Sequence, residues 1–272
     1  MKIAKNLMMI ATLTCFFGTF SAIAKDYSLV LSNPSKAANI KVAVLNGAVN
    51  VIGYQGEAVM VSADVKPLDK VQPSVAVSTD KPTELKKVKA ATPAIILEER
   101  DNEVDIISLS REQTVNLTIK VPNNSNLTVQ VSKGGDIQVS DVSGELELQN
   151  GQGAIIAANI SGPIVAESGQ QDIKVTFVNF EQRQPSSLTS HNGNIDVSLP
   201  ANVKSDIRVQ TYTGEVYSGL DTEFQALEEV RNDDDGRQRV VIGGTMATKV
   251  NGGGQQLSLS TYAGNVFVRQ KP

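Results

Sequence analysis

The chain has 272 residues, a formal net charge of −4, and few aromatic residues, none of them tryptophan. An acidic chain of this kind argues against nucleic acid or an anionic membrane as partner. A single cysteine excludes an internal disulfide, so the fold must be held by its core and its hydrogen bonds.

Residues 1–24 are predicted to be a secretory signal peptide. Lys2 and Lys5 precede an apolar run from Leu7 to Phe20, and Ala22-Ile23-Ala24 has the small residues of a cleavage site. The run is shorter than the roughly 20 residues of a membrane-spanning helix. We therefore predict an exported protein, periplasmic or at the cell surface or extracellular, with a retained anchor as the alternative. The only cysteine, Cys15, is lost with this segment.

Residues 25–116 are predicted to form an N-terminal β region. The stretch 40–53, IKVAVLNGAVNVIG, alternates apolar and polar residues as a half-buried strand does. Residues 66–93 hold four of the chain's ten prolines and many lysines, which predicts an exposed loop. A hairpin with its turn at Asp101-Asn102 is predicted to follow.

Residues 117–272 are predicted to be a repeat region, because glycines in it recur every nine residues, at 135, 144, 153 and 162. Two apolar residues follow each glycine at fixed places, such as Ile137 and Val139. Side chains alternate with a period of two, so the chain must turn once in each odd-numbered unit of nine. At the seventh place after the glycine, apolar residues and glycines alternate, which makes the full period 18 residues.

A repeat of this length is typical of a solenoid. The predicted fold is all-β, a parallel β-helix-like solenoid with coils of about 18–21 residues and two loop or hairpin insertions. Looser copies of the unit at 199–218 and 257–268 extend the pattern, and an early copy at 40–53 means that the repeat region is expected to be continuous with residues 25–116. The copies at 40–53 and 257–268 are expected to be outer coils.

The second insertion covers residues 219–239 and is predicted to be mainly a loop and a hairpin. It contains the sharpest charge cluster of the chain, Asn232-Asp233-Asp234-Asp235-Gly236. Calcium loops space their acidic ligands by two residues, whereas these aspartates are adjacent. A hairpin turn at Asp235-Gly236 is the favoured interpretation, and calcium binding by Asp233–Asp235 is the alternative.

The repeated unit Gly-acid/Asn-aliphatic occurs as GDIQV, GNIDV, GEVYS and GNVFV. With the runs SLPANVKSDIRVQTYTGEV and VNGGGQQLSLSTYAGNVFVRQ, it resembles the bacterial putative-adhesin family, which consists of secreted β-strand-repeat proteins of unknown function. The resemblance covers most of the mature chain and is best over residues 117–270. It implies a secreted all-β repeat protein with a parallel β-helix-like body, and it transfers no catalytic residues. The long loop at 66–93 departs from the family pattern.

No residue pattern indicates a catalytic, metal or cofactor site, and no ligand-binding residues can be selected. Carboxylates in an enzyme on this kind of body should form a column across coils, but Asp136 is in register with Ala154 before Asp172. His191 is the only histidine. Without a nearby cysteine or triad partner, it is interpreted as a solvated turn residue.

The sequence therefore favours a non-catalytic, exported envelope or surface protein, a rigid β-solenoid that binds an envelope protein or a glycan. One alternative is a polysaccharide-active enzyme on the same body. Another is a self-assembling envelope structural protein, because the ends of a solenoid expose strand edges that can pair end to end.

Overall fold

The computed structural model describes residues 25–68, 94–180, 184–232 and 238–271. Within these residues the chain forms 19 β-strands and no helix, which confirms the predicted all-β class. The predicted signal peptide, residues 1–24, lies outside the described residues. The strands are β1 Lys25–Val30, β2 Asn39–Tyr54, β3 Ala58–Pro67, β4 Ile96–Arg100, β5 Glu103–Ser108, β6 Gln113–Pro122, β7 Asn126–Ser140, β8 Leu146–Asn150, β9 Ile155–Ile160, β10 Ile164–Ser168, β11 Ile173–Phe177, β12 Ser186–Ser190, β13 Ile195–Leu199, β14 Ser205–Thr211, β15 Val216–Ser218, β16 Gln225–Asn232, β17 Gln238–Val250, β18 Gln255–Thr261 and β19 Val266–Gln270.

Most strands pair in parallel and belong to one of two ladders. Ladder A contains, in spatial order, β5, β2, β7, β8, β10, β12, β18 and β14. Ladder B contains β6, β2, β7, β9, β11, β13, β19 and β15. The long strands β2 and β7 contribute to both ladders. We call one ladder-A strand, together with the ladder-B strand that follows it along the chain, a rung.

The nine-residue spacing of the glycines is the distance along the chain from one ladder to the other. After nine residues the chain has crossed from ladder A to ladder B, and after 18 it has returned. Ile137, Ile155 and Ile173 are consequently direct neighbours in ladder B, and all three are fully buried. The inward columns predicted from the period are therefore present in the register of the strands.

Glycine is needed at the corners because neighbouring rungs approach each other closely there. A Cβ atom on Gly153 would collide with the carbonyl group of Gly135 in the adjacent rung. The long strand β2 bends instead of breaking at its corner, where Gly47 has a φ of 144° that residues with a side chain rarely adopt.

The spatial order of the rungs differs from their order along the chain at both ends. The rung at 39–54 lies between β5–β6 and β7. The rung at 255–270 lies between the rungs at 186–199 and 205–218. Residues 40–53 and 257–268 were expected to be the outer coils. Instead, one more parallel rung lies outside each of them, formed by β5–β6 at one end and by β14–β15 at the other.

Antiparallel strands cover the two ends of the ladders. At one end β4 pairs with β5, and the predicted Asp101-Asn102 turn is confirmed by positive φ values of 56° and 66°. On the same end β6 pairs with β3, which in turn pairs with β1. At the other end β14 pairs with β17, and β17 pairs with β16.

The two predicted insertions lie partly outside the described residues. The loop prediction for 66–93 is wrong at its start, since Lys66 and Pro67 belong to β3 and pair with β6; residues 69–93 are not described. In the second insertion the predicted hairpin is present, with Asn232 opposite Gln238. The aspartates of the calcium alternative, Asp233–Asp235, are outside the described residues.

The core is a continuous aliphatic interior between the two ladders. Inward residues on both ladders are buried, for example Leu148 in ladder A and Val175 in ladder B. Phe177 is the largest fully buried side chain, and its ring packs edge to face on that of Phe180 with the ring centroids 4.8 Å apart.

A helix with the length and apolar character of a membrane span is not found among the described residues.

Candidate ligand-binding surface

Five of the ladder-A strands end in a polar residue that shapes the corner. In five successive rungs this residue is Asn150, Ser168, Ser190, Thr261 and Thr211. Gly193 lies three residues after Ser190, and its N–H donates a hydrogen bond to Ser190 Oγ at 2.9 Å. This hydrogen bond closes the turn. Thr261 Oγ1 donates to the Gly193 carbonyl oxygen of the neighbouring rung at 2.9 Å. The corner residue therefore fixes the turn and also ties it to the next rung.

Because strand side chains alternate, an inward corner residue forces the following residue outward. In the same five rungs that following residue is Gly151, Gly169, His191, Tyr262 and Tyr212. The central rungs thus present bare glycines at this corner, whereas the last three rungs present rings. Tyr262 and Tyr212 are 52% and 74% exposed, so these rings face solvent and not the core.

The three rings form one stacked column, which we call the aromatic column. The centroids of His191 and Tyr262 are 5.3 Å apart with an interplanar angle of 10°. Those of Tyr262 and Tyr212 are 5.2 Å apart at 23°. Both separations are those of favourable aromatic pairs, so the corner geometry and the ring stacking stabilise the same arrangement.

A second aromatic pair lies around the corner on ladder B. Tyr217 stacks on Phe267 with centroids 5.0 Å apart, and the guanidinium of Arg269 lies 5.3 Å from the centre of the Phe267 ring. Arg269 Nε donates to Asp196 Oδ1 at 2.8 Å. The Tyr217 hydroxyl donates to the Glu215 carboxylate.

The carboxylates of Glu215 and Asp196 shift the pKa values of Tyr217 and Arg269, respectively. The hydrogen bond to Glu215, reinforced by its negative charge, raises the pKa of Tyr217 above its usual range. The hydrogen bond to Asp196 raises the pKa of Arg269 in the same way. Tyr217 therefore stays a neutral hydroxyl donor and Arg269 a cation at any physiological pH.

A groove of about 440 Å³ runs along the aromatic column on the ladder-A side. Its second wall is a polar column made of the outward residues one place before the corners, and its floor consists of corner residues such as Ser168 and Ser190. The polar column contains Glu167, Thr189, Ser260 and Gln210, which are direct neighbours across four rungs. The groove therefore offers rings on one side and hydroxyl, amide and carboxylate groups on the other.

The carboxylates that the sequence placed in broken columns have structural partners. Asp136 Oδ1 accepts from the Ala154 N–H at 2.8 Å, and Asp172 Oδ1 accepts from the Asn194 N–H at 2.7 Å. Each of these side chains thus connects its rung to the next one. Within the described ranges, no group of three or more His, Cys, Asp and Glu residues is placed to hold a metal ion.

His191 is an exposed turn residue, as predicted, but it is also part of the aromatic column. The sequence reasoning missed Tyr212, Tyr262 and the column as a whole. A signal was present, because SHNGN, TYAGN and TYTGE share one pattern: a hydroxyl residue, a ring, any residue and glycine. Aligning these three units on their glycines would have placed the rings in register.

Two solved structures resemble this fold. One is of a putative cell adhesion protein from Clostridium sporogenes, with 11% identity, a TM-score of 0.43, and coverage of 92% of this chain and 100% of that one. The other is of a putative adhesin from Bacteroides fragilis, with 10% identity, a TM-score of 0.32, and coverage of 93% and 98%. No protein-family model and no curated protein matches the chain.

Proposed function

We propose that this chain is an exported, non-catalytic binding protein of the bacterial envelope or cell surface. Its body is proposed to be a parallel β-helix-like solenoid formed by the whole mature chain. The in-register parallel pairing of strands 18 residues apart supports that body. The predicted signal peptide supports export.

One observation supports binding as the activity. Three rings that lie outside the hydrophobic core, those of His191, Tyr262 and Tyr212, form an exposed stacked column beside a groove. Exposed aromatic side chains are enriched at recognition surfaces because they combine a large apolar area with a polar edge. A merely solvated face would not require rings at three successive corners.

The carboxylates support a non-catalytic role. A glycosidase needs two carboxylates with open access to one bond of the substrate. Asp136 and Asp172 instead accept backbone hydrogen bonds from neighbouring rungs. Within the groove, the polar column contributes a single carboxylate, that of Glu167.

The experiment is a glycan array combined with capture from envelope extracts. It compares the wild-type chain with a Tyr212→Ala/Tyr262→Ala double variant. The matched control is Tyr27→Ala, because Tyr27 is also exposed but lies on β1 at the opposite end. We expect the double variant to lose binding and the control to retain it. Equal binding by all three proteins, or new reducing ends released from a polysaccharide panel, would contradict the proposal.

A further inference from the structure

The aromatic column ends abruptly at His191. Tyr262 covers one face of the imidazole, and in the described residues no ring lies on the other side. The column continues there with Gly169, because Ser168 and Ser190 are register neighbours at the preceding position. The outward face of His191 therefore borders a place in the column where no side chain is present.

This gap is a built feature of the corner. A Cβ atom on Gly169 would meet the carbonyl oxygen of Gly151 in the next rung, so the close stacking excludes a side chain there. Gly151 is excluded from carrying one by the Ser132 carbonyl oxygen for the same reason. Two successive corners are thus bare, and together they leave space for a flat group against the imidazole.

The polar column passes the same gap. Glu167 is the outward residue of the Gly169 rung, and Thr189 is that of the His191 rung. Both are exposed, and both line the groove. A group seated on His191 would therefore find a carboxylate and a hydroxyl at its side.

We propose that the groove binds a linear glycan, with one pyranose ring seated over Gly169 against the free face of His191. This inference rests on the proposed binding function and names its ligand class and its site. A pyranose has an apolar C–H face that packs on a ring, and hydroxyl groups at its rim that can pair with Glu167 and Thr189. An aromatic side chain of a protein would stack equally well but would leave those polar groups without partners.

The length of the groove favours a chain of sugars over a single one. The groove spans four rungs, and three intervals of about 4.8 Å give a length on the order of 14 Å. Each rung repeats one ring or gap on one wall and one polar group on the other. A ligand that repeats its own hydroxyl groups at a similar spacing can use every rung.

The test uses the unique histidine of the chain as a probe. The full chain is purified without a histidine tag, so that His191 gives the only imidazole signals in a histidine-labelled NMR spectrum. Defined cello-, chito- and xylo-oligosaccharides of one to six residues are titrated, and affinities are measured by calorimetry. We expect at least one hexasaccharide to bind and to shift the His191 ring signals. The corresponding monosaccharide should bind about tenfold more weakly or worse, because it uses one rung.

The variants separate stacking from folding. His191→Ala should weaken hexasaccharide binding about tenfold, while His191→Phe, which restores a ring, should bind within about threefold of wild type. Tyr217→Ala removes an exposed ring outside the groove and should leave affinity unchanged. Thermal melts of all three variants show whether the fold is intact.

Each result has one consequence. Hexasaccharide binding that leaves the His191 signals and the His191→Ala affinity unchanged overturns the site. Failure of every oligosaccharide, combined with envelope capture that depends on Tyr212 and Tyr262, overturns the glycan inference and leaves the proposed function standing. Failure of both the oligosaccharides and the envelope capture overturns both proposals.

Discussion

The central rungs and the C-terminal rungs follow the same corner rule with different results. In the rungs at 146–160 and 164–177, the corner residue is followed by glycine, and the units repeat every 18 residues without insertion. In the rungs at 186–199, 255–270 and 205–218, it is followed by a ring, and the chain order is permuted. Both regions are closely stacked, since a Cβ atom on Gly264 would collide with the Gly193 carbonyl as one on Gly153 would with that of Gly135. The regions differ in the residue displayed after the corner, which is glycine in the central rungs and a ring in the C-terminal rungs.

The largest effect should come from a charge placed inside a central rung. Ile155→Asp buries an unpaired carboxylate at a position with no solvent exposure, at a cost of about 4 kcal/mol or more. Cooperative thermal unfolding, followed by circular dichroism, should be lost. The control Gln138→Asp places the same charge on the outward side of the adjacent strand and should melt like the parent. An unchanged melt for Ile155→Asp would show that residue 155 is not inward.

Replacing a glycine by alanine should destabilise the fold less, and by an amount that depends on whether the glycine lies against a neighbouring rung. Gly153→Ala drives a Cβ into the Gly135 carbonyl and should cost about 2–3 kcal/mol. Gly252→Ala, in the turn before β18, meets no atom within 4 Å but retains a φ of 89°, so it should cost only about 1 kcal/mol. Chemical denaturation of both variants measures the difference. The reverse ranking would mean that the rungs are not closely stacked at the Gly153 corner.

The corner hydrogen bond between Thr261 and Gly193 should contribute less to the free energy of unfolding than the close packing at Gly153. Thr261→Val removes the donor to the Gly193 carbonyl, and should lower the free energy of unfolding by about 1–2 kcal/mol. Thr261→Ser keeps the hydroxyl and should recover most of that loss. If the corner positions the rings as described, Thr261→Val should also alter the His191 ring signals, because Tyr262 follows directly.

The smallest effect lies at the opposite end of the ladders and depends on pH. Glu99 accepts hydrogen bonds from the Ser32 N–H at 2.9 Å, the Ser32 hydroxyl and the Asn102 N–H, and these lower its pKa below the ordinary 4.5. A lowered folded-state pKa stabilises the fold above pH 4.5, and the stabilisation is lost as the pH falls through the folded value. The difference in Tm between wild type and Glu99→Gln should therefore be present at pH 7 and should shrink progressively as the pH falls below 4.5. A constant difference would contradict the assigned hydrogen bonds.

The regular part of the fold was predictable because its physical cause is local. An odd spacing of nine forces a turn in each unit, and a period of 18 returns the same residues inward, so the neighbours Ile137, Ile155 and Ile173 follow from the sequence. The order of the C-terminal rungs was not predictable. GNVFV at 264–268 and GEVYS at 214–218 carry the same signature, and each fits beside GNIDV at 193–197.

That order decides which residues meet in the candidate site. With the rungs in chain order, Tyr212 and not Tyr262 would stack on His191, and Arg269 would be two rungs away from Asp196. The permuted order instead gives the His191–Tyr262 contact and the Arg269–Asp196 ion pair. Long-range strand pairing of this kind leaves no trace in local periodicity, which is why the order of the rings in the column could not be predicted, although the shared units that place them in register are visible in the sequence.

Disulfide trapping of the rung order tests the account most directly. In a Cys15→Ser background, Ser187→Cys/Ser258→Cys places cysteines on directly paired strands, about 4.8 Å apart at Cα, within the range of a disulfide. Ser187→Cys/Arg208→Cys places them two strands apart, beyond that range. We predict that mild oxidation cross-links the first double variant quantitatively and the second not at all. Cross-linking of the second double variant in place of the first would show that the rungs follow chain order, so that Tyr212 and not Tyr262 would be the neighbour of His191.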